Sequence, residues 1–311
     1  MGRIFGPVPS RRLGRSLGVD VVPYKTCTFD CVYCECGATS RLTCEREEFF
    51  PLEQILDELA DALGELSVPP DVITLSGAGE PTLYSRLGEL IAGAGAAGGL
   101  PVAVITNSSL LFIPEVRGEL ARADIVLPSL DAALEAPFRR TNRPHSSCTL
   151  ARLIGGLGAF LDEYAGRVLF EILLVEGYNT DSDSLDALAS FVSTHRVDSI
   201  QLNTAVRPGT ERGVRPLSRA RLAEICRLFG PRCEVVAAAG TRARHEDFAA
   251  AGRILALIER RPCTAEDIHR ALGVPLQGAV KLLEMLISRG CVVAGEHGGE
   301  IFYTAVERGG R

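Results

Sequence analysis

"YKTCTFDCVYCECG", residues 24–37, sets Cys27, Cys31, Cys34 and Cys36 within ten residues near the start of a 311-residue chain. Just upstream, the β-branched run Val19–Val22 reads as a strand, so the cysteines sit on the loop that leaves it. Downstream, brief apolar runs alternate with longer segments of helical spacing. Strands are expected at Val72–Leu75, Val102–Thr106, Ile125–Pro128, Leu169–Val175 and Ser199–Asn203, and helices at 52–66, 82–97, 114–122, 149–164, 183–194 and 217–229. Six βα units of this kind need right-handed crossovers and a parallel sheet, either a doubly wound open sheet or a partial or full βα barrel. Polar residues gather where those strands end: "SGAGEP" at 76–81, "TNSS" at 106–109, "SLD" at 129–131, "EGYN" at 176–179 and "NTAVRPG" at 203–209. A parallel βα fold brings such ends to one face, where the site forms. The run "GAGAAGG" at 93–99 follows a helix rather than a strand, so it reads as a helix end and turn, not a phosphate loop.

The length exceeds one average domain, and 46% hydrophobic residues without tryptophan fit a folded α/β chain of one large and one small domain. No apolar run approaches the roughly 20 residues that span a bilayer, and "MGRIFGPVPSRRLGRSLG" lacks the apolar centre of a signal peptide. A cytoplasmic location and no membrane partner are therefore expected. In that reducing compartment ten cysteines argue poorly for disulfides and better for metal or redox chemistry. The formal net charge of -6 offers no global field for nucleic acid.

The composition shifts near residue 240, giving a first domain at 1–240, a linker at 241–247 within "AAAGTRARHED", and a tail at 248–311. Phe248–Arg260 is amphipathic. Thr264 with Asp267 reads as a helix cap and Gly273 as the stop, "VPLQGAVKLLEMLISRG" as a third helix, and "CVVAGEHGGEIFYTA" as a hairpin. Three helices and a hairpin resemble a winged helix-turn-helix. The tail holds eight Lys/Arg (Arg253, Arg260, Arg261, Arg270, Lys281, Arg289, Arg308, Arg311) against seven Asp/Glu. Its third helix sets Lys281 and Arg289 beside Glu284, and its "GEHGGE" turn is acidic where a phosphate-facing wing is basic. Protein or peptide docking suits it at least as well as DNA.

Cys27, Cys31 and Cys34, in C-x3-C-x2-C order, suit three corners of one iron–sulfur cube, leaving the fourth iron open for a ligand. A structural zinc site drawing on Cys31, Cys34 and two of Cys36, Cys44 or a distant residue is the alternative, and bare redox thiols are a third. That loop, with Tyr33 before Cys34 and then "SGAGEPTL", "TNSS" and "SLD" on successive strand ends, resembles the radical S-adenosylmethionine (SAM) superfamily over roughly residues 1–240. "PVPSRRLGRSLGVD" and "SLDA…FRRTNRPH" further resemble Fe–S oxidoreductases related to the wyosine-base synthases.

The resemblance implies an α/β fold, a partial (βα)6 TIM-like barrel followed here by the small winged-helix domain. It implies a 4Fe–4S cluster on Cys27, Cys31 and Cys34, whose open iron binds SAM, and a one-electron reductant such as flavodoxin or ferredoxin. Cleavage of the sulfonium then gives methionine and a 5′-deoxyadenosyl radical that takes hydrogen from a substrate, an RNA base or a protein or peptide. Gly79 and Glu80 match the motif that binds the SAM amino group, with Ala78 where many members have glycine. Asn107, Ser129 and Asp131 would meet the ribose or methionine part, and Tyr33 the adenine. Other roles stay open. Asp131 and Asn179 also suit caps or turns. Ser10, Arg11, Arg12, Arg15 and Arg207 are candidates for an anionic substrate, and Asn142–His145 for substrate binding or a loop brace. Cys36 and Cys44 suit a second metal site or packing, and Cys148, Cys226, Cys233, Cys263 and Cys291 packing. The reading from another class is a zinc-stabilised winged-helix regulator whose βα domain binds a ligand without turnover.

Overall fold

The computed structural model describes residues 3–10, 12–66, 68–206, 209–211, 213–236, 245–259, 261–274, 276–288, 291–297 and 300–306. Arg11, Arg207, Arg260, Arg289, Arg308, Arg311, most of the expected linker and the centre of the "GEHGGE" turn lie outside these residues.

A hairpin comes first: β1 (Ile4–Ser10) pairs antiparallel with β2 (Gly14–Val19). The strand expected at Val19–Val22 is thus displaced, ending where that run begins. Val21 and Val22 are buried in the main core from a loop, so their apolar character reflects burial rather than strand pairing. Next, β3 (Thr26–Cys27) and β4 (Arg41–Leu42) pair in parallel and pinch the base of the cysteine loop.

The βα units follow as α1 (Leu52–Glu65), β5 (Val72–Leu75), α2 (Leu87–Gly98), β6 (Val102–Thr106), α3 (Pro114–Leu120) and β7 (Ile125–Pro128). After them come α4 (Glu135–Asn142), α5 (Leu150–Glu163), β8 (Arg167–Leu174), α6 (Ser182–Ser193), β9 (Ser199–Thr204), α7 (Arg219–Leu228) and β10 (Cys233–Val235). The start of the helix expected at 82–97 is a single 3-10 turn, Pro81–Leu83, and "GAGAAGG" does end a helix, with Gly99 left-handed at φ 57°. One sheet results, in the order β1-β2-β5-β6-β7-β8-β9-β10, parallel from β2 onward.

Helices cover one face of this sheet and share its large core, in which Ile55, Leu59, Leu90, Leu157 and Phe170 are fully buried. Each such side chain contributes about 1.5–3 kcal/mol. On the other face Leu13, Val72, Ala103, Leu127 and Leu169 form a separate small cluster. The C-terminal ends of β2, β5, β6, β7 and β8 therefore sit above an apolar floor.

The tail forms α8 (His245–Ile258), α9 (Ala265–Leu272), α10 (Leu276–Ser288), β11 (Val292–His297) and β12 (Glu300–Ala305), around its own apolar cluster of Ile254, Ile268, Leu283 and Val292. Thr264 and Asp267 make the expected capping box, and Gly273 ends α9 at φ 65°. α10 is engaged by the first hairpin. Gln277 Nε2 donates to Asp20 Oδ2 at 3.0 Å, and the Lys281 ammonium stands 5.9 Å from the Phe5 ring centroid. Among the described residues no helix is long and apolar enough to cross a membrane.

Candidate functional site

The loop that leaves β2 is fastened by its backbone to the turn that leaves β5. Lys25 N–H donates to the Ala78 carbonyl at 2.9 Å, and Glu80 N–H to the Thr26 carbonyl at 3.1 Å. The approach is so close that a Cβ on Gly79 would lie 2.1 Å from the Thr26 oxygen. Gly77, at φ 147°, leaves the space that Asp20 fills. Asp20 Oδ1 accepts from Ala78 N–H at 3.1 Å. Burial raises the Asp20 carboxyl to about 6, although hydrogen bonds from Ala78 and Gln277 pull the other way.

Each of the three spaced cysteines has a donor aimed at its sulfur. Asn107 Nδ2 stands 3.6 Å from Cys27 Sγ, Asn142 Nδ2 3.5 Å from Cys31 Sγ, and Lys25 Nζ 3.0 Å from Cys34 Sγ. Burial, then Glu80, pushes the Cys27 thiol up to about 12, and burial, then Asp131, pushes Cys31 well above the ordinary range. Cys34 is held down to about 5 by a hydrogen bond from Cys36 and by the Lys25 ammonium, and Cys36 is raised in turn. Two half-buried thiols costly to ionise, yet faced by amide donors, fit sulfurs that bind a cationic centre: the centre removes the ionisation penalty and the donors hold the sulfur's charge. The donor set thus fits an iron–sulfur group on Cys27, Cys31 and Cys34. Cys36 is hydrogen-bonded to Cys34.

Glu80, 2% exposed, is bracketed by four hydrogen bonds: Oε1 accepts from Thr82 N (3.1 Å), Thr82 Oγ1 (2.6 Å) and Thr106 Oγ1 (2.7 Å), and Oε2 from Asn107 N (2.8 Å). Burial nonetheless raises its carboxyl. Asn107 spans the gap from β6 to the loop, its Nδ2 also donating to Thr28 Oγ1 at 2.8 Å. Tyr33 Oη donates to Asp131 Oδ2, which also accepts from Asn142 Nδ2 at 2.7 Å, while Asp131 Oδ1 accepts from Leu173 N–H at 2.9 Å. Asp131 and Tyr33 therefore tie the loop to β7 and β8. Ser129 continues β7 by an N–H bond to the Thr106 carbonyl at 3.0 Å. Asn179 is fully buried and bonds only backbone: Val175 N, Asp131 O and Leu173 O. Of its two sequence readings the turn brace is the one observed.

The anion-binding candidates among the described residues, Ser10, Arg12 and Arg15, are otherwise engaged. Ser10 Oγ accepts from the backbone of Arg12 and Leu13 in the β1–β2 turn. Arg15 lies at the amino end of β2, away from the strand ends, its Nη2 on the Val68 carbonyl at 3.1 Å. Arg12 forms an ion pair with Glu171, which also accepts from Asn203 Nδ2 at 3.1 Å. His145 sits beside Cys44 with Cys148. Lys25, Asp20, Thr28 and Glu171 are absent from the sequence reading. Lys25 alone left a trace, a lysine two residues before the first cysteine. Among the described residues no group of three His, Cys, Asp or Glu side chains is placed to hold a single metal ion.

The profile of the radical SAM superfamily matches residues 21–188, and the chain belongs to that superfamily. A UPF0026 protein of Helicobacter pylori (strain ATCC 700392 / 26695) is 33% identical over 305 residues, 97% of each chain. A protein of Brachyspira hyodysenteriae named GTPase Obg is 34% identical over 233 residues, 75% of this chain, and the chain spans only 34% of its length. Among solved structures, a radical SAM methyltransferase from Sphaerobacter thermophilus shares the fold, with a TM-score of 0.57 at 17% identity over 72% of this chain and 67% of that one.

Proposed function

We propose that the chain is a radical SAM enzyme in which Cys27, Cys31 and Cys34 hold a 4Fe–4S cluster at the mouth of a partial (βα)6 barrel. The observation that carries this is the backbone fastening of Thr26, next to Cys27, to Gly79–Glu80: it sets the candidate cluster loop and the candidate SAM motif at contact distance. Bound there, the cluster would supply the electron that cleaves SAM to methionine and a 5′-deoxyadenosyl radical. Glu80 would accept the SAM ammonium through the lone pair of Oε2 that Asn107 N–H leaves unused. Asn107, Asn142 and Lys25 would orient the sulfurs. Ser129, Asp131 and Tyr33 line the neighbouring strand ends, where they would shape the space for the rest of SAM.

Because Arg12 and Glu171 neutralise one another, the barrel layer of Arg12, Glu171, Gln201 and Asn203 offers a substrate hydrogen bonds rather than net charge. That layer, with the resemblance to the wyosine-base synthases, supports an RNA base as the substrate class. The tail is read as a winged helix-turn-helix module, residues 248–311, that recruits a protein rather than duplex DNA. Its third helix faces the barrel's first hairpin, and its own hairpin turns Val293 and Ile301 outward. The test is formation of 5′-deoxyadenosine from SAM by the reduced, reconstituted protein: the wild type makes it and Cys31→Ala does not.

A further inference from the structure

Outside the three spaced cysteines, two thiols distant in sequence meet across the fold. Cys44, just after β4, and Cys148, just before α5, have their Sγ atoms 3.0 Å apart although 104 positions separate them in sequence. Cys148 is 4% exposed and Cys44 is half-buried, so one thiol is reachable and the other is held behind it.

Both are suspended from adjacent residues of the candidate cluster loop. Thr43 N–H donates to the Cys27 carbonyl at 3.0 Å, and His145 N–H to the Thr28 carbonyl at 2.9 Å, while Cys148 N–H closes onto the His145 carbonyl at 2.8 Å. The pair is therefore fixed from both sides. The sulfurs need to close by only about 1 Å to reach a disulfide bond length.

The surroundings suit thiol exchange. His145 Nδ1 accepts from Ser147 N–H at 3.2 Å and lies 3.4 Å from Cys44 Sγ, so an imidazole nitrogen without a hydrogen of its own stands beside the Cys44 thiol. A hydrogen bond from Cys148 and the neighbouring His145 and Arg152 hold the Cys44 thiol down to about 7, while Cys148 is raised by giving that bond and by burial. Arg152, exposed on α5 with its Nη1 donating to the Ser147 carbonyl at 3.1 Å, sets a cation beside the segment that carries His145 and Cys148, a match for a carboxylate-bearing disulfide.

We propose that Cys44 and Cys148 are a dithiol–disulfide site that exchanges with a carboxylate-bearing low-molecular-weight disulfide. The Cys44 thiolate attacks one sulfur of the small disulfide; the Cys44–SR bond forms, the RS–SR bond breaks, and RS⁻ leaves and takes up a proton. Cys148, releasing its proton, then attacks the Cys44 sulfur; the Cys44–Cys148 bond forms and the second RS⁻ leaves. The protein loses two electrons and two protons, and the small disulfide is reduced to two thiols. The product is a cystine that staples the exit of the cluster loop to the start of α5.

The probe is oxidised glutathione. The full-length, cluster-loaded protein is equilibrated anaerobically across a series of reduced-to-oxidised glutathione ratios, quenched with N-ethylmaleimide, digested and mapped by mass spectrometry. The expected product is one cross-linked peptide pair containing Cys44 and Cys148, lost again on return to reduced glutathione. Cys148→Ser is expected to stop at a glutathione adduct on Cys44, and Cys44→Ser to block both products, each with wild-type iron content. Alkylation of Cys44 and Cys148 at every ratio in the wild type overturns the proposal, and so does a cystine joining either of them to another cysteine. Iron loss in a Ser variant that keeps the wild-type far-UV spectrum also overturns it, since the pair would then be metal ligands. The wild-type map decides the matter even where a variant folds poorly, and it reads independently of SAM cleavage.

Discussion

Replacing Glu80 with Gln exchanges one oxygen of a fully enclosed carboxylate for an NH2 group. Three donors meet at Oε1 and one at Oε2, so the Gln carbonyl keeps the Oε1 position and the amide nitrogen falls opposite Asn107 N–H. A lost hydrogen bond with two donors facing costs about 1–3 kcal/mol. Relief of burying a charge, the cause of the raised Glu80 carboxyl, offsets part of this, so the fold should survive. SAM binding has no such offset. The ammonium loses a charge-assisted bond of about 1.5–3 kcal/mol, an affinity loss of about 10- to 150-fold. The assay is equilibrium binding of labelled SAM to the anaerobic, oxidised protein, paired with a SAM analogue lacking the amino group. The analogue should bind wild type and Glu80→Gln alike. Equal SAM affinity in the two proteins, or an equal loss for the analogue, would refute the reasoning and leave Glu80 a brace for Asn107.

Gly79→Ala drives a Cβ into the Thr26 carbonyl beside Cys27, so the iron-to-protein ratio after reconstitution should fall well below that of wild type; a full complement would mean that the loop yields without consequence. Asp20 gives a pH test. Its folded value of about 6 lies above the ordinary 3.8, so its contribution to stability is fully present below about pH 4 and is lost as the pH rises through 6. Asp20→Asn keeps the Ala78 bond, and Gln277 can turn its carbonyl to the new amide. Urea unfolding should therefore show wild type losing up to about 3 kcal/mol relative to Asp20→Asn between about pH 4 and 7, and parallel curves would count against a buried, docked Asp20. The full chain should bind duplex DNA no tighter than about 10⁻⁴ M at physiological salt by fluorescence anisotropy. A tight sequence-specific complex would restore the regulator reading.

Much of the sheet was legible because its central strands are buried on both faces. "VITL", "VAVIT" and "IVLP" are short, mostly apolar runs rich in β-branched residues, and β5, β6 and β7 coincide with them. The first hairpin was not legible. "IFGPVPS" holds one glycine and two prolines, which argue against a central strand, but β1 is an edge strand, where a missing N–H breaks no ladder on its open side. α4 escaped notice for its short length, yet it seats Phe138 edge-on against Phe29 at 5.6 Å and delivers Asn142 to Cys31. The cysteine loop stands out by its local spacing, and Glu80 only through the resemblance of its motif. Their partners do not stand out: Asn142 lies 111 residues from Cys31 and Cys148 lies 104 from Cys44, pairings that only the closed fold creates. Arg12 misled for the same reason, since its counter-ion Glu171 is 159 residues away.

The most direct test of the central claim is iron and acid-labile sulfide analysis of anaerobically reconstituted wild type, Cys27→Ala, Cys31→Ala, Cys34→Ala and Cys226→Ala, with the electron paramagnetic resonance spectrum of each reduced protein recorded with and without SAM. Cys226 is the control, since it lies on α7 beside Cys233 of β10, at the opposite end of the sheet order from β1. The account predicts about four irons and four sulfides per chain in wild type and Cys226→Ala, with a spectrum that SAM shifts, and loss of that SAM-responsive cluster in the other three. Stoichiometric zinc without sulfide in wild type, or a full cluster that still responds to SAM after Cys31→Ala, would contradict it.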